Sequence, residues 1–487
     1  MISLTDEERR ALPMVIQGGM GAGISSWQLA RTVASNGGLG IISGVAPDLL
    51  LARWLQDGDP DGHVRRALAS FPHQELVEPV IARFFRPGGR AEGAPYKPIP
   101  RLDLHQKIDA VRLTVLGAYV QVWLAKEGHD GVAGINLLEK IQLWTPAALL
   151  GSVLANADYV LVGAGVPAHL PSMLDGLAAC EPIRMPVDVE GALPGEAYEI
   201  ELDPRVVVPG LTAPLKRPMF VAIISSHVLA SYLARDELTK PDGFVVEGPV
   251  AGGHSAPPRG PMKLNDEGEP IYGARDETDL EKMLAIGLPF WLAGGFGTPE
   301  KLVEALAAGA AGVQVGSPFA LSDESGLGAI YKKAMREQLR NNALKVRNDP
   351  RASPTGFPFK VVEIDDTIGM AETYMARPRQ CDLGYLRAMY RRDDGTVGYR
   401  CSSEPVDAYL RKGGTIEDTE DRACLCNGLT ATMGIGQHRK AGYVEAPLLT
   451  FSQDFSALKD LLASFPEGWS ARDVLAWLYA KTPVMSA

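Results

Sequence analysis

Residues 290–317, FWLAGGFGTPEKLVEALAAGAAGVQVGS, contain one complete strand–helix–strand unit. The runs at its two ends, 290–293 and 312–315, are apolar throughout rather than alternating, which is typical of buried parallel strands. Between them, Thr298 is a suitable N-cap and Pro299 fits the first helical position. The strand-to-strand spacing of roughly 25 residues fits a βαβ unit with its crossover helix. This stretch therefore predicts a parallel α/β fold.

The same kind of run occurs eight times along the chain, and helical patterns lie between most of the runs. Eight strand–helix units favour a TIM (β/α)₈ barrel over an open doubly wound sheet. In such a barrel the carboxyl ends of the strands carry the active site. The predicted strands are 14–17, 40–43, 132–137, 159–162, 219–224, 243–246, 290–293 and 312–315.

Several connections are too long for a simple crossover helix, and they are rich in proline, glycine and charge. After about residue 345 the barrel is complete, and the rest of the chain contains helical patterns. We therefore predict a barrel domain over residues 1–345 and a mainly helical extension over 346–487 that packs on it. The predicted insertions in the barrel lie at about 50–125, 180–217 and 255–277.

The composition is that of a globular protein, because 46% of the 487 residues are hydrophobic and 22% are charged. A formal net charge of −11 disfavours a nucleic-acid partner. No run of eighteen apolar residues occurs and the first residues, MISLTDEERR, do not resemble a signal peptide, so we expect no membrane segment. Five cysteines are too few for a disulfide scaffold, and reduced thiols in the cytoplasm are expected.

Glycine pairs follow the last two predicted strands. Gly294 and Gly295 come directly after the seventh strand, and Gly316 and Ser317 come after the eighth. Glycines allow backbone N–H groups to approach an anion closely, and a helix that begins near Pro299 adds its positive end. Tight turns alone could explain one such pair, but two pairs at neighbouring strand ends favour a phosphate site.

The first and sixth predicted strands also end in glycine-rich segments. IQGGMGAG, residues 16–23, has four glycines in six residues, which would let a flat ligand lie against the backbone. EGPVAGGH, residues 247–254, places His254 beside two glycines at the catalytic rim. Imidazole titrates near neutral pH, so His254 is a candidate general base or hydrogen-bond donor. A lone histidine is more often structural, but its place at a strand end favours the catalytic reading.

These motifs together resemble the nitronate monooxygenase (2-nitropropane dioxygenase-like) flavoprotein family over roughly residues 12–330. That family also includes flavin-dependent enoyl reductases and NAD(P)H:quinone reductases. The resemblance implies a TIM barrel that binds FMN non-covalently, and it matches His254 to a histidine credited with substrate binding or proton abstraction. By position it implies phosphate contacts from Gly253, Gly294, Gly295, Gly316 and Ser317, and flavin contacts from Gln17, Gly18, Gly19, Met20, Gly21 and Asn136.

The chain departs from this family in two respects. Many members carry a lysine at the end of the fifth strand, where this chain reads AIISS, residues 222–226. A positive charge near the flavin would then be missing, although Ser225 could donate a hydrogen bond instead. The chain is also longer than the compact members, and its length is closer to that of trans-acting enoyl reductases of fatty-acid and polyketide synthases.

Four of the five cysteines lie in the extension, at Cys381, Cys401, Cys424 and Cys426. Four thiols suffice for zinc or an iron–sulfur cluster. Their spacing does not form two tight C-x₂-C pairs, however, and cysteine is a common small buried residue. We therefore predict buried free thiols and no metal site.

Three functions agree with these observations. The first is an FMN-dependent oxidation of alkyl nitronates with O₂. The second is an NAD(P)H-dependent reduction of an enoyl thioester or a quinone by FMN. No G-x-G-x-x-G fingerprint follows a strand, so NAD(P)H would bind transiently over the flavin. The third is a flavin-binding partner of a larger complex without turnover, which the retained His254 disfavours. The expected partner is a small-molecule substrate, and the sequence leaves an oligomer open.

Overall fold

The computed structural model describes residues 12–439 and 442–482. The N-terminal decapeptide that we compared with a signal peptide therefore lies outside the described residues. All eight predicted barrel strands are present within one or two residues of the expected bounds. They are β1 (Val15–Gln17), β2 (Leu39–Ser43), β3 (Ala133–Leu138), β4 (Tyr159–Gly163), β5 (Met219–Ile224), β6 (Gly243–Glu247), β7 (Phe290–Ala293) and β8 (Gly312–Val315).

The eight strands form a closed barrel in which every strand is parallel to its two neighbours. Sequential strands pair all the way round, and β8 returns to β1 with Ile16 opposite Gln314. The TIM-barrel prediction is therefore confirmed. Because the strands are parallel, all of their carboxyl ends lie at one rim, and the glycine segments at residues 16–23 and 247–254 meet there.

The interior of the barrel is filled by side chains and leaves no room for a ligand along the axis. Ile16, Leu161, Val221 and Val245 from four different strands are fully buried in one cluster. Trp291 lies in the same cluster and donates its indole N–H to the carbonyl of Pro13 at 2.7 Å. A ligand can therefore bind only at an end of the barrel.

Local sequence explains where the crossover helices begin. Thr298 accepts a hydrogen bond from the backbone of Lys301, and Ser26 and Ser226 cap their helices in the same way. The helices of the barrel region are Trp27–Ser35, Pro47–Gln56, His63–Ala69, Gln74–Phe84, Ile108–Lys126, Thr145–Leu154, Leu170–Ala178, Pro204–Val207, His227–Leu233, Leu280–Ile286, Pro299–Ala307, Ser317–Ala320 and Ala329–Arg340.

One of these helices, Ile108–Lys126, is long and apolar enough to cross a membrane. In this protein 78% of its apolar window is buried inside the molecule. It packs between the helices Pro47–Gln56 and Thr145–Leu154, and Gly117 fits against the backbone of Pro47. The helix is therefore part of the barrel's outer layer.

The extension contains the predicted helices and also two antiparallel hairpins that the sequence did not reveal. One hairpin pairs Val346–Asp349 with Phe359–Val362, and the other pairs Ala388–Arg391 with Val397–Arg400. These strands have only four residues each, and some carry charged side chains, so no apolar run marked them. The helices of the extension are Ala371–Ala376, Val406–Arg411, Leu425–Ala431, Ser456–Ser464 and Ala471–Tyr479.

The extension packs on the barrel and also pairs with one of the insertions. Strand Ala388–Arg391 runs parallel to the short strand Val189–Glu190, which belongs to the insertion predicted at 180–217. The same insertion forms a hairpin of Ile183–Pro186 with Glu199–Leu202, so it is less irregular than its prolines indicated. An isolated antiparallel bridge between His254 and Phe359 also connects the extension to the barrel rim at the carboxyl ends of the strands.

Candidate active site

A cavity of about 250 Å³ opens at the carboxyl ends of the barrel strands. It is where the sequence placed the active site, and most of the candidate residues line it together although they come from five different strand ends. The candidates in its wall are Gly18, Gly19, Met20, Gly21, Asn136, Gly253, His254, Gly294, Gly295, Gly316 and Ser317.

Two of these glycines could not be replaced without a clash. A Cβ atom on Gly19 would lie 2.3 Å from the Cβ of Asn136. Gly294 has a φ of 74°, and a Cβ there would lie 2.7 Å from the carbonyl oxygen of Gly248. Both positions therefore bring bare backbone to the cavity wall, as a bound planar or anionic group requires.

The cavity also contains polar atoms that lack a partner. The side-chain oxygens Oδ1 of Asn136 and Oε1 of Gln314 are buried and accept no hydrogen bond from any residue that the structure describes, and both residues line the cavity. A buried polar atom without a partner is costly, so a ligand with hydrogen-bond donors would satisfy them. The isoalloxazine and ribityl groups of FMN offer such donors, and the wall fits FMN in this respect.

Gln314 was not among the sequence candidates. It lies in β8 within the run GVQV, residues 312–315, and it is the one polar side chain in that strand. A polar residue in an otherwise apolar buried strand next to the glycine pair was the available signal.

Two sequence candidates lie outside this cavity. The amide of Gln17 is fully buried; its Nε2 donates to Ser25 Oγ at 2.8 Å and its Oε1 accepts from the backbone N–H of Ile41. Gln17 therefore fixes the neighbouring Gly18 loop and does not face the ligand. Ser225 lines a second, adjoining cavity instead, because the chain turns away at the end of β5.

A segment of the extension covers the predicted phosphate loops. We call residues 450–454 the strap. The hydroxyl of Thr450 accepts the N–H of Gly253 at 2.8 Å, and the N–H of Ser452 donates to Ser317 Oγ at 3.2 Å. The N–H of Gly253, which the resemblance placed on the phosphate, is thus already bonded. Among the described residues, the Ser317 hydroxyl only accepts, so its proton can donate to a ligand.

The strap also brings a negative charge to the glycine loops. Asp454 lines the cavity, and its Oδ2 lies 3.8 Å from where a Cβ on Gly295 would be. Its Oδ1 accepts from the N–H and hydroxyl of Ser456 at the start of a helix, which fixes its position. A carboxylate here would repel a phosphate, so this feature opposes the glycine pairs and the helix ends.

His254 lies where the barrel and the extension meet. Its Nε2 lies 2.7 Å from the hydroxyl oxygen of Ser353, and its ring makes an edge-on contact with Phe359. Both partners belong to the extension. Burial lowers the pKa of His254 to about 4, with a further contribution from the positive charge of Lys140. The imidazole is therefore neutral at physiological pH.

A second cavity, also of about 250 Å³, adjoins the first at the rim. The two share the residues Ala164, Ile223, Glu247 and His254 in their walls. Most of its remaining wall is apolar and comes from the segment that follows β4, the end of β5 and the loop predicted as the 255–277 insertion. The ring of Phe357 from the extension also contributes to this wall.

A half-buried acid, Glu247, shares both cavity walls with His254, and a buried base, Lys360, follows Phe359 in the adjoining hairpin. Burial raises the pKa of Glu247, the last residue of β6, to about 7, although the charge of Lys360 opposes this shift. Burial lowers the pKa of Lys360 to about 8. The Lys360 ammonium donates to the carbonyl of Pro249 and to the hydroxyl of Ser255. The extension thus supplies a positive charge beneath the sixth-strand loop, although Lys360 lines neither cavity.

The four cysteines of the extension converge although they are far apart in sequence. Cys381, Cys401, Cys424 and Cys426 all line one small cavity of about 10 Å³. Each is a free thiol, and burial raises the pKa of the Cys426 thiol well above its ordinary value. Within residues 12–439 and 442–482, no three His, Cys, Asp or Glu side chains are arranged to hold one metal ion. Cys426 also lines the first cavity.

The closed parallel barrel and the glycine-walled cavity define a TIM-barrel protein with a candidate ligand site at the carboxyl ends of the strands. Residues 214–349 match the family model described as nitronate monooxygenase. This segment holds β5 to β8 and His254, whereas the glycine segment at residues 16–23 and Asn136 lie before it.

Two curated proteins are similar to parts of the chain. One is a "(3aS,4S,5R,7aS)-5-hydroxy-7a-methyl-1-oxo-octahydro-1H-indene-4-carboxyl-CoA dehydrogenase" of Mycobacterium tuberculosis, 25% identical over 239 residues, which are 46% of this chain and 61% of that protein. The other is a "probable nitronate monooxygenase" of Staphylococcus saprophyticus, 24% identical over 185 residues, 37% of this chain and 49% of that protein. The similarity thus spans about half to three fifths of these relatives.

The family match and this second relative make the chain similar to the nitronate monooxygenase family over part of its length. Among solved structures, FabK from Thermotoga maritima is 15% identical with a TM-score of 0.47, and covers 97% of this chain and 93% of its own. A nitroalkane oxidase from Streptomyces ansochromogenes is 15% identical with a TM-score of 0.46, and covers 96% of this chain and 95% of its own. Similarity at this level carries no information about substrate.

Proposed function

We propose that this protein is an FMN-dependent oxidoreductase. The observation that carries the proposal is the first cavity, where glycines that tolerate no side chain and two buried oxygens without partners form one wall. The amides of Gly294, Gly295 and Gly316 would hold the phosphate, and Asn136 and Gln314 would bond the ring system or the ribityl chain. Bound FMN would supply the electron transfer, while the protein binds and orients the reactants.

The second cavity is the proposed substrate site. It adjoins the first at His254, so a substrate there would reach the flavin cavity across the imidazole. A neutral imidazole with one nitrogen held by Ser353 can bond a substrate oxygen through its other nitrogen. For the reaction we propose oxidation of alkyl nitronates with O₂, which the family match favours.

A second candidate reaction is the reduction of an enoyl thioester or a quinone with NAD(P)H as the electron donor. The size and apolar wall of the second cavity favour it, because a small nitronate would not need an apolar site of about 250 Å³. In this case a chain of methylene groups would occupy the second cavity and its reactive carbons would lie beside His254.

Anaerobic mixing distinguishes these proposals. The purified protein should be yellow and should release FMN, not FAD, on denaturation. Bleaching of the flavin by ethyl nitronate alone would support nitronate oxidation, and bleaching by NADH or NADPH alone would support the reductase. Flavin that is bound but reduced by none of them would indicate a binding partner without turnover. Absence of flavin after reconstitution with FMN would refute the proposal.

A further inference from the structure

Glu247 occupies the junction of the two cavities. It is the last residue of β6, at the carboxyl end of a barrel strand, where catalytic groups lie in this fold. Its side chain lines both cavities, as does that of His254. The loop that follows is fixed by the hydrogen bond from the N–H of Gly248 to the carbonyl of Ala293.

The Glu247 carboxyl has no partner that would fix it in the ionised form. No hydrogen bond or ion pair is formed by it within the part of the chain that the structure describes. The opposing charge that acts on it is that of Lys360, whose ammonium is already bonded to Pro249 and Ser255. A carboxyl group that faces a ligand cavity without a structural partner is free to gain or lose a proton there.

The other groups around the junction are less suited to proton exchange near neutral pH. His254 is neutral, and its Nε2 is bonded to Ser353. In the second cavity, Asp276 accepts the N–H of Arg259 and caps a turn, so it is held in place as an acceptor. Burial raises the pKa of the Tyr272 hydroxyl above its ordinary value. Glu269 interacts with Lys360 and lines neither cavity.

We propose that Glu247 is the residue that exchanges a proton with the reacting carbon, and that His254 binds the substrate. This inference rests on the proposed function. With a neutral nitroalkane, the Cα–H bond breaks, the proton passes to a Glu247 oxygen, and the electron pair stays on the substrate as the nitronate. In the reducing direction, the protonated carboxyl would give its proton to Cα of an enoyl thioester; bound FMN would supply the hydride to Cβ, with NAD(P)H as the electron donor.

The pKa of Glu247 agrees with this role because a general acid–base works best when it titrates near the working pH. Desolvation is the main cause of the shift, and Lys360 limits it. If the Lys360 charge were removed, the pKa of Glu247 would rise further. In Lys360→Met, the limb of the pH–activity profile that reflects the titration of Glu247 should therefore shift to higher pH.

The first test needs no turnover. Infrared difference spectra of the flavin-loaded full chain are recorded as a function of pH for the native protein and for Glu247→Gln. We expect a protonated carboxyl band that disappears with a midpoint near pH 7 and that Glu247→Gln lacks. Glu267→Gln, which removes an exposed acid of the neighbouring loop, is the matched control and should keep the band. A native protein without a carboxyl titrating between about pH 6 and 8 would overturn the proposal.

The second test follows the exchange of the α-protons of nitroethane with deuterium under anaerobic conditions by NMR. Glu247→Gln should slow the exchange by about 10² or more, and His254→Asn should slow it less at saturating substrate. The reverse order would return the proton transfer to His254 and overturn the proposal. If the native protein exchanges no nitroethane, the same variants are compared on deuterium incorporation at Cα of crotonyl thioester. Failure of the native flavoprotein to exchange protons on both substrates would also overturn the proposal, whereas FMN content and anaerobic bleaching by ethyl nitronate, NADH or NADPH test the proposed function separately.

Discussion

The wall of the first cavity has two parts of different origin. One part is the set of glycine loops at the strand ends of the barrel, and the other comes from the extension and includes the strap, Phe359 and Cys426. The glycine loops expose backbone and favour an anion, whereas the strap occupies the Gly253 amide and adds the charge of Asp454. The barrel therefore supplies the backbone groups that favour an anion, and the extension reduces their number and adds a negative charge.

The role of the glycine loops is tested most severely at Gly294. A side chain there would cover the backbone, and the loops should then no longer bind FMN. Gly294→Val should abolish FMN retention and lower the free energy of unfolding by about 1–3 kcal/mol, since its positive φ and the nearby Gly248 carbonyl exclude a side chain. Flavin content after gel filtration and chemical denaturation measure the two effects.

The matched control for Gly294→Val is Gly287→Val. Gly287 has a similar φ of 81°, but nothing lies within 4 Å of a Cβ there, and the residue does not line the cavity. This variant should share the backbone strain and keep its flavin. Equal flavin content in the two variants would show that the Gly294 loop does not contact FMN.

The extension's contact with His254 should have the next largest effect. Ser353→Ala removes the hydrogen bond to Nε2, and we expect a decrease in kcat of about tenfold, the value of one hydrogen bond, with FMN still bound. Ser353 acts by positioning the imidazole, so Ser353→Thr should restore most of the rate. An unchanged kcat and pH profile in Ser353→Ala would show that this contact from the extension does not affect catalysis.

The charge on the strap should have a smaller effect, in the opposite direction. Asp454→Asn should tighten FMN binding about fivefold, since one charge near 4 Å from an anion costs about 1 kcal/mol in a water-like environment. Fluorescence titration of the apoprotein measures this Kd. Asp460→Asn, an exposed acid on the following helix, is the control and should leave the Kd unchanged. Weaker binding in Asp454→Asn would mean that the phosphate lies elsewhere.

A separate effect, confined to acidic solution, is the pH dependence that His254 imposes on stability. Its pKa is lowered to about 4 in the folded protein, so the unfolded chain binds its proton more readily between pH 6.5 and 4. The stability contributed by the neutral imidazole is present above pH 6.5 and is lost as the pH falls towards 4. Thermal unfolding of His254→Asn should therefore be less sensitive to pH over this window than that of the native protein. Parallel curves would show that His254 is not desolvated.

Much of the barrel could be predicted because each of its signals is local. Runs such as 290–293 and 312–315 are apolar at every position since a strand covered on both faces exposes none of them. Thr298 and Pro299 marked the start of a helix through their own backbone chemistry. The glycine pairs indicated an anion site because they follow strands, and parallel strands bring their ends together.

Gln17 and Ser225 show where the local signals failed. Both belong to strand ends at the correct rim, but the direction of a side chain there depends on the turn that follows and on the neighbours it bonds. Gln17 is held inward by Ser25 and Ile41, and Ser225 lies on the far side of His254 in the second cavity. Their place near the site could be predicted, and their orientation could not.

The sequence by itself determined the parallel barrel, the rim that carries the site, and the glycine and histidine candidates, because periodicity, capping and turn chemistry act over a few residues. Only the tertiary structure showed which residues of the extension contact these glycines and His254. Ser353, Lys360 and Asp454 lie roughly 100 to 200 residues from the loops that they contact, and no local pattern marks such pairs. Contacts between distant segments depend on how the whole chain packs, and the protonation of His254 and Glu247 follows from that packing.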